Sequence, residues 1–194
     1  MIKNLIKSFT KLPGVGNKTA QRFAYHLLER NREAGMELAK SLELAMTHVK
    51  NCKDCQTLTE NDICSICADP DRDNSILCIV ETPNDLNLIE ESGIFKGKYF
   101  VLGGYLSPID GITPEDLGLD ILESKIKQSE IIEIILATNA TIEGEVTAHF
   151  IKNMTKGLNL NVTRIAHGIP IGGELEYADS NTIAHALSDR KNYS

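Results

Sequence analysis

At 194 residues with 42% hydrophobic content, the chain can bury one ordinary core with one or two small satellite units. No apolar run approaches the roughly eighteen residues of a membrane span, and residues 1–10 lack an apolar segment followed by a small-residue cleavage site, so a cytoplasmic protein with no membrane partner is expected. A net charge of −7 would disfavour a polyanionic partner if spread evenly, but residues 1–55 hold ten Lys or Arg against five Asp or Glu, whereas residues 56–194 hold ten against twenty-two. Such polarity fits a polyanion at one end; a merely solvated basic helix surface would give the same count.

In chain order, Leu12-Pro13-Gly14-Val15-Gly16 interrupts two helical patterns as a tight hairpin. The following segment spaces Ala20, Phe23, Ala24, Leu27 and Leu28 along one helical face, with Asn17 as the expected N-cap and Lys18 and Arg22 together on the opposite face. A third helix over 33–50 carries its own stripe in Leu38, Leu42, Ala45 and Val49. A Gly-x-Gly turn entering a helix offers free backbone N–H groups at the positive end of the helix dipole, so Gly14, Gly16, Lys18 and Arg22 form a candidate phosphate site. The stretch resembles a helix-hairpin-helix element, whose grip on DNA is largely blind to sequence; a plain turn in a helical bundle is the alternative. A nucleotide-binding loop is excluded, since the GxxxxGK[ST] spacing and a preceding apolar strand are both missing.

Two CxxC pairs follow, Cys52/Cys55 and Cys64/Cys67, separated by eight residues. Each pair can set two thiolates on one metal edge, and four thiolates fill a zinc tetrahedron with no position open to substrate, so the expected zinc is structural. Redox-active or disulfide pairs are the rival reading, disfavoured in a cytosolic setting. Cys78, inside the apolar run 76–80, is expected in the core.

From Ile76 onward, β-rich runs (76–82, 99–103, 131–138, 162–166) alternate with helical segments (84–91, 114–128, 144–154), which predicts a mostly parallel sheet with helices on its faces. Polar residues gather where strands should end: Glu81 and Asp85 after the first, Asn139 to Gly144 after the third. The arrangement resembles a Toprim domain, in which a glutamate and a later Asp-x-Asp pair hold a divalent metal. Here Asn139-Ala140-Thr141 occupies the Asp-x-Asp position, which removes two of the oxygen ligands that Mg²⁺ prefers. With no evident nucleophile and no carboxylate beside any histidine in sequence, no catalytic residue is expected. Glu81, Asp85 and Glu143 instead form an acidic surface suited to a basic protein partner.

The hairpin with Leu-Pro-Gly-Val-Gly, the four cysteines, the degenerate Toprim unit and the segment His167-Gly-Ile-Pro-Ile-Gly-Gly-Glu-Leu-Glu-Tyr177 occur in this order in the RecR family, and the resemblance spans residues 5–187. It implies a recombination mediator that binds DNA and acts with RecO, often also with RecF, to load RecA on single strands coated by SSB. It also implies a homo-oligomer, dimers assembling into a tetrameric ring. The expected division is 1–51 for the DNA-binding hairpin region, 52–75 for the zinc finger, 76–172 for the Toprim-like domain and 173–194 for a C-terminal segment with a terminal helix capped by Ser180. In the last, Glu174, Glu176 and Asp179 bear comparison with a Walker B element, but without a Walker A loop no ATP binding is expected. The competing function class is a metal-dependent Toprim nuclease or topoisomerase-like enzyme.

Overall fold

The computed structural model describes residues 1–166, 168–169, 172–188 and 190, and the chain divides into two compact units, Met1–Val49 and Lys50–Ser194. In the first, α1 (Ile2–Phe9) and α2 (Asn17–Tyr25) flank the hairpin, a π-helical turn (His26–Arg30) follows, and α3 (Arg32–His48) ends the unit. Gly14 adopts φ +75, and the Val15 N–H donates to the Leu12 carbonyl at 3.1 Å, which closes the turn. Asn17 is not the cap: Gly16, with extended backbone, precedes the first turn, so α2 starts without a side-chain cap. The α2 stripe is fully buried only at Ala20 and Ala24, while Phe23 packs edge-on against Phe9 with ring centroids 5.9 Å apart. On α3, Leu38 and Leu42 are 42% and 54% exposed. Three short helices are too few to cover every apolar face among themselves.

The second unit opens with an antiparallel pair, β1 (Lys50–Asn51) and β2 (Leu58–Thr59), and a single-turn helix α4 (Ser65–Ala68). Then come β3 (Asp73–Val80), α5 (Pro83–Glu91), β4 (Gly97–Val101), α6 (Leu119–Gln128), β5 (Glu133–Ala137), α7 (Ile142–Met154) and β6 (Asn161–Arg164). The four long-range strands form the expected parallel sheet in the order β4-β3-β5-β6. On one face Leu77, Ile79, Phe100, Ile134 and Leu136 pack with α6 residues Leu122 and Ile126 and with Ile151 of α7. On the other, Cys78, Val80, Tyr99 and Val101 pack with Leu86 of α5 and with Ile66 of α4. Burial on both faces is why β3 reads as an uninterrupted apolar run.

Most element ends lie within about three residues of expectation, and two differences have clear local reasons. α6 begins at Leu119 instead of 114 because the Thr113 N–H and hydroxyl both donate to the Asp116 carboxylate, and Gly118 at φ +62 then turns the chain before the helix can start. In the C-terminal segment, a 3-10 turn (Leu175–Tyr177) precedes α8 (Ser180–Ser188), whose cap is Asp179 instead of Ser180: its carboxylate accepts from the Asn181 and Thr182 N–H groups at 2.9 and 3.0 Å. His167, Pro170 and Ile171 of the C-terminal motif lie outside the described residues.

Candidate functional site

The first CxxC pair sits on a knuckle that the backbone itself closes: the Cys52 N–H donates to the Thr57 carbonyl at 2.7 Å and the Gln56 N–H to the Cys52 carbonyl at 2.9 Å. Gln56 takes φ +64, a conformation that costs a non-glycine residue about 1 kcal/mol and turns the chain back sharply. Cys64 precedes α4 and Cys67 lies within it. All four sulfurs fall within 4.8 Å of one another, and the Cys55 and Cys64 sulfurs are 3.6 Å apart. A tetrahedron with Zn–S bonds of roughly 2.3 Å has an edge of about 3.8 Å, so the cluster fits that ion. Backbone donors already face the sulfurs, with the Cys64 N–H 3.3 Å from Cys52 Sγ and the Cys67 N–H 3.4 Å from Cys64 Sγ. A hydrogen bond from Cys67, stronger than the opposing effect of burial, holds the Cys55 thiol down to about 6, whereas burial raises Cys64. Four thiolates leave no open coordination position, so the group is a structural zinc site. Cys78 stays apart in the sheet, its thiol pushed up to about 12 by burial, as expected of a core residue.

In the first unit, Gly16 places no side-chain acceptor over the first turn of α2. The opening N–H groups of that helix therefore receive no side-chain cap. Gly14, Gly16, Lys18 and Arg22 are all exposed, and the Arg22 guanidinium lies 5.8 Å from the Phe23 ring centroid, which limits its freedom.

At the carboxyl ends of the strands, the three acidic candidates do not share one surface. Glu81 is 3% exposed. One of its carboxylate oxygens accepts the Asn139 backbone N–H at 2.9 Å and the other accepts the Asn139 side-chain amide. The asparagine standing at the Asp-x-Asp position thus takes up the carboxylate that would otherwise face a metal. Asp85 is half-buried and closes a capping box with Thr82 at the start of α5. Glu143 is exposed in the first turn of α7, whose N-cap Thr141 accepts the Gly144 N–H at 3.1 Å.

Gly144 is the residue that pattern reading missed here. A Cβ at this position would lie 2.1 Å from the Asn139 carbonyl oxygen and 3.0 Å from a Glu81 carboxylate oxygen, so only glycine allows α7 to start against the latch. Gly144→Ala is expected to destabilise the fold by about 2–3 kcal/mol, read as a lower urea midpoint, because the closest opposing atom is a backbone carbonyl oxygen that cannot swing aside. Lys98 and Lys125 were missed as well; a lysine inside an otherwise apolar strand, Gly97-Lys98-Tyr99-Phe100-Val101, was the available signal for the first.

Comparison with known proteins covers nearly the whole chain. Family models match as RecR, helix-hairpin-helix over residues 2–46, the RecR zinc finger domain of the four-cysteine type over 49–69, Toprim domain over 75–166 and RecR, C-terminal over 168–191. The recombination protein RecR of Saccharophagus degradans is 55% identical over 191 residues, which is 98% of this chain and 97% of that protein. With its hairpin unit, four-cysteine zinc site and Toprim sheet in the matching order, the chain belongs to the RecR family of recombination proteins.

Proposed function

We propose that this chain is a cytoplasmic DNA-binding clamp and adaptor of recombinational repair, which acts with RecO, and with RecF where it is present, to load RecA on single-stranded DNA coated by SSB. The observation that carries the DNA part is the uncapped first turn of α2 beside exposed Lys18 and Arg22. Backbone amides and two cations recognise phosphate and not bases, which suits an adaptor that must act on any sequence. Among the described residues, no helix is long and apolar enough to cross a membrane.

One hairpin per chain is a small footprint on DNA, so the chain works as a homo-oligomer, a dimer that pairs into a tetrameric ring. The uncovered apolar residues of α3, Leu38 and Leu42, support a second copy packing there. A non-catalytic role is supported by the engagement of Glu81 with Asn139, which leaves too few carboxylates for the divalent ion that phosphoryl transfer at a Toprim site needs.

RecO is the proposed basic partner of the strand-end surface, and Glu143 is its exposed acidic contact; Glu81 and Asp85 support that surface from within. Glu143→Lys is expected to weaken RecO association at least about tenfold through the reversed charge, while DNA binding by the isolated protein stays within about twofold of the parent. Surface plasmon resonance with immobilised RecO, alongside DNA anisotropy, separates the two effects. Undiminished RecO affinity would remove Glu143 from the interface.

A further inference from the structure

A lysine is buried beneath the zinc knuckle with no directly paired carboxylate among the described residues. Lys98, on edge strand β4, is 8% exposed, and its ammonium donates to the carbonyls of Ile66, Cys67 and Asp69 at 3.1, 3.0 and 3.0 Å. All three acceptors are neutral and belong to the stretch that carries the fourth cysteine. Among the described residues no carboxylate lies within ion-pair distance of Lys98; Asp54 feels its charge at longer range but is paired directly with Lys125 of α6. A buried ammonium whose hydrogen-bond partners are all neutral is poorly compensated for the water it has lost. Zinc held by four thiolates carries two net negative charges, and that anion is what this corner of the fold otherwise lacks a counter-charge for.

We infer that Lys98 is the internal counter-cation of the zinc tetrathiolate and a positioning residue for Cys67. Its three hydrogen bonds fix the carbonyls of the α4 stretch, and its charge lowers the energy of the thiolates above it. Lys125 assists from the other side: its ammonium donates to the Asp54 backbone carbonyl at 3.2 Å and pairs with the Asp54 carboxylate, between Cys52 and Cys55. Each CxxC half therefore rests on one lysine from the Toprim sheet or its helix. A third tie, the Val101 N–H donating to the Cys55 carbonyl at 2.8 Å, covers the free edge of β4.

The test compares the full-length zinc protein with Lys98→Met, which keeps the aliphatic stem but removes the charge and the donors. Zinc loss to excess chelator, followed at a temperature where both proteins are folded, is expected to be about ten to a hundred times faster in the variant, the usual scale for groups that orient metal ligands. In the cobalt-substituted proteins, the thiolate-to-cobalt charge-transfer band should move to lower energy, because removing a nearby positive charge raises the sulfur donor orbitals. Ile151→Ala, a buried core change on α7 away from the cysteines, serves as the control for general loosening and should alter neither reading. Lys98→Gln, neutral but still a donor, is the second variant should Lys98→Met fail to fold. A parent-like band and release rate in whichever lysine variant folds overturns the assignment, as does equally fast release from Ile151→Ala.

Discussion

Cys64→Ser is expected to abolish stoichiometric zinc binding and to lower the melting temperature of the second unit by about 10 °C. At a structural site the metal-binding energy is also folding energy. If a loss of about 3–5 kcal/mol survives relaxation of the knuckle, each kcal/mol moves the midpoint by about 2–4 °C in a domain of this size. The damage spreads because the knuckle is not a free appendage: Ile66 packs on the Cys78, Val80 and Tyr99 face of the sheet as well as on the cysteines themselves. Cys64 also receives the Cys67 N–H on its sulfur and sends its own N–H to Cys52, so a serine there disturbs both halves of the cluster. Elemental analysis of freshly purified, reduced protein should give one zinc per parent chain and less than a tenth of that in the variant, with calorimetry reporting the midpoint. A parent protein devoid of zinc would sink the metal assignment.

Reversing both cations of the hairpin, Lys18→Glu with Arg22→Glu, is expected to weaken binding to random-sequence DNA about a hundredfold at low salt. It should also flatten the dependence of log affinity on log salt by about two units per hairpin engaged, since each neutralised phosphate contributes nearly one unit. Both side chains are exposed on α2 and neither forms an ion pair among the described residues, so the fold should survive and circular dichroism should match the parent. Anisotropy titrations across a salt series measure both quantities. Native mass measured with and without DNA then shows whether several hairpins share one duplex. Unchanged affinity would place the DNA site elsewhere, and a particle that remains monomeric on DNA would remove the clamp.

What could be read from the sequence was whatever depends on spacing along one stretch of chain. The two CxxC pairs, the Gly14 turn and the apolar run of β3 are local patterns with local physical causes. The features that could not be read depend on a neighbour distant in sequence. Glu81 looked like a surface acid because it ends a strand; its burial is decided by Asn139, 58 residues further on. Gly144 opened the expected helix over 144–154 with nothing in its own stretch to demand glycine; the Asn139 carbonyl, standing where its side chain would be, is what demands it. Lys98 fell just outside the strand drawn from Tyr99, and its acceptors lie about thirty residues before it, so no window along the chain contains both. The caps at Gly16 and Asp179 each lie one position before the expected Asn17 and Ser180, within the usual uncertainty of helix ends.

The latch between Glu81 and Asn139 also limits what a single substitution could achieve here. Changing Asn139 to an aspartate would not by itself build a metal centre. It would set two carboxylates against each other in a crevice already filled, remove the amide donor that Glu81 relies on, and force one acid to keep its proton. A second acid at Thr141 would have to appear as well, where an aspartate could still accept the Gly144 N–H that caps α7. A change at Asn139 alone therefore passes through a less stable protein, so the fold itself resists the first step toward a carboxylate pair at this crevice.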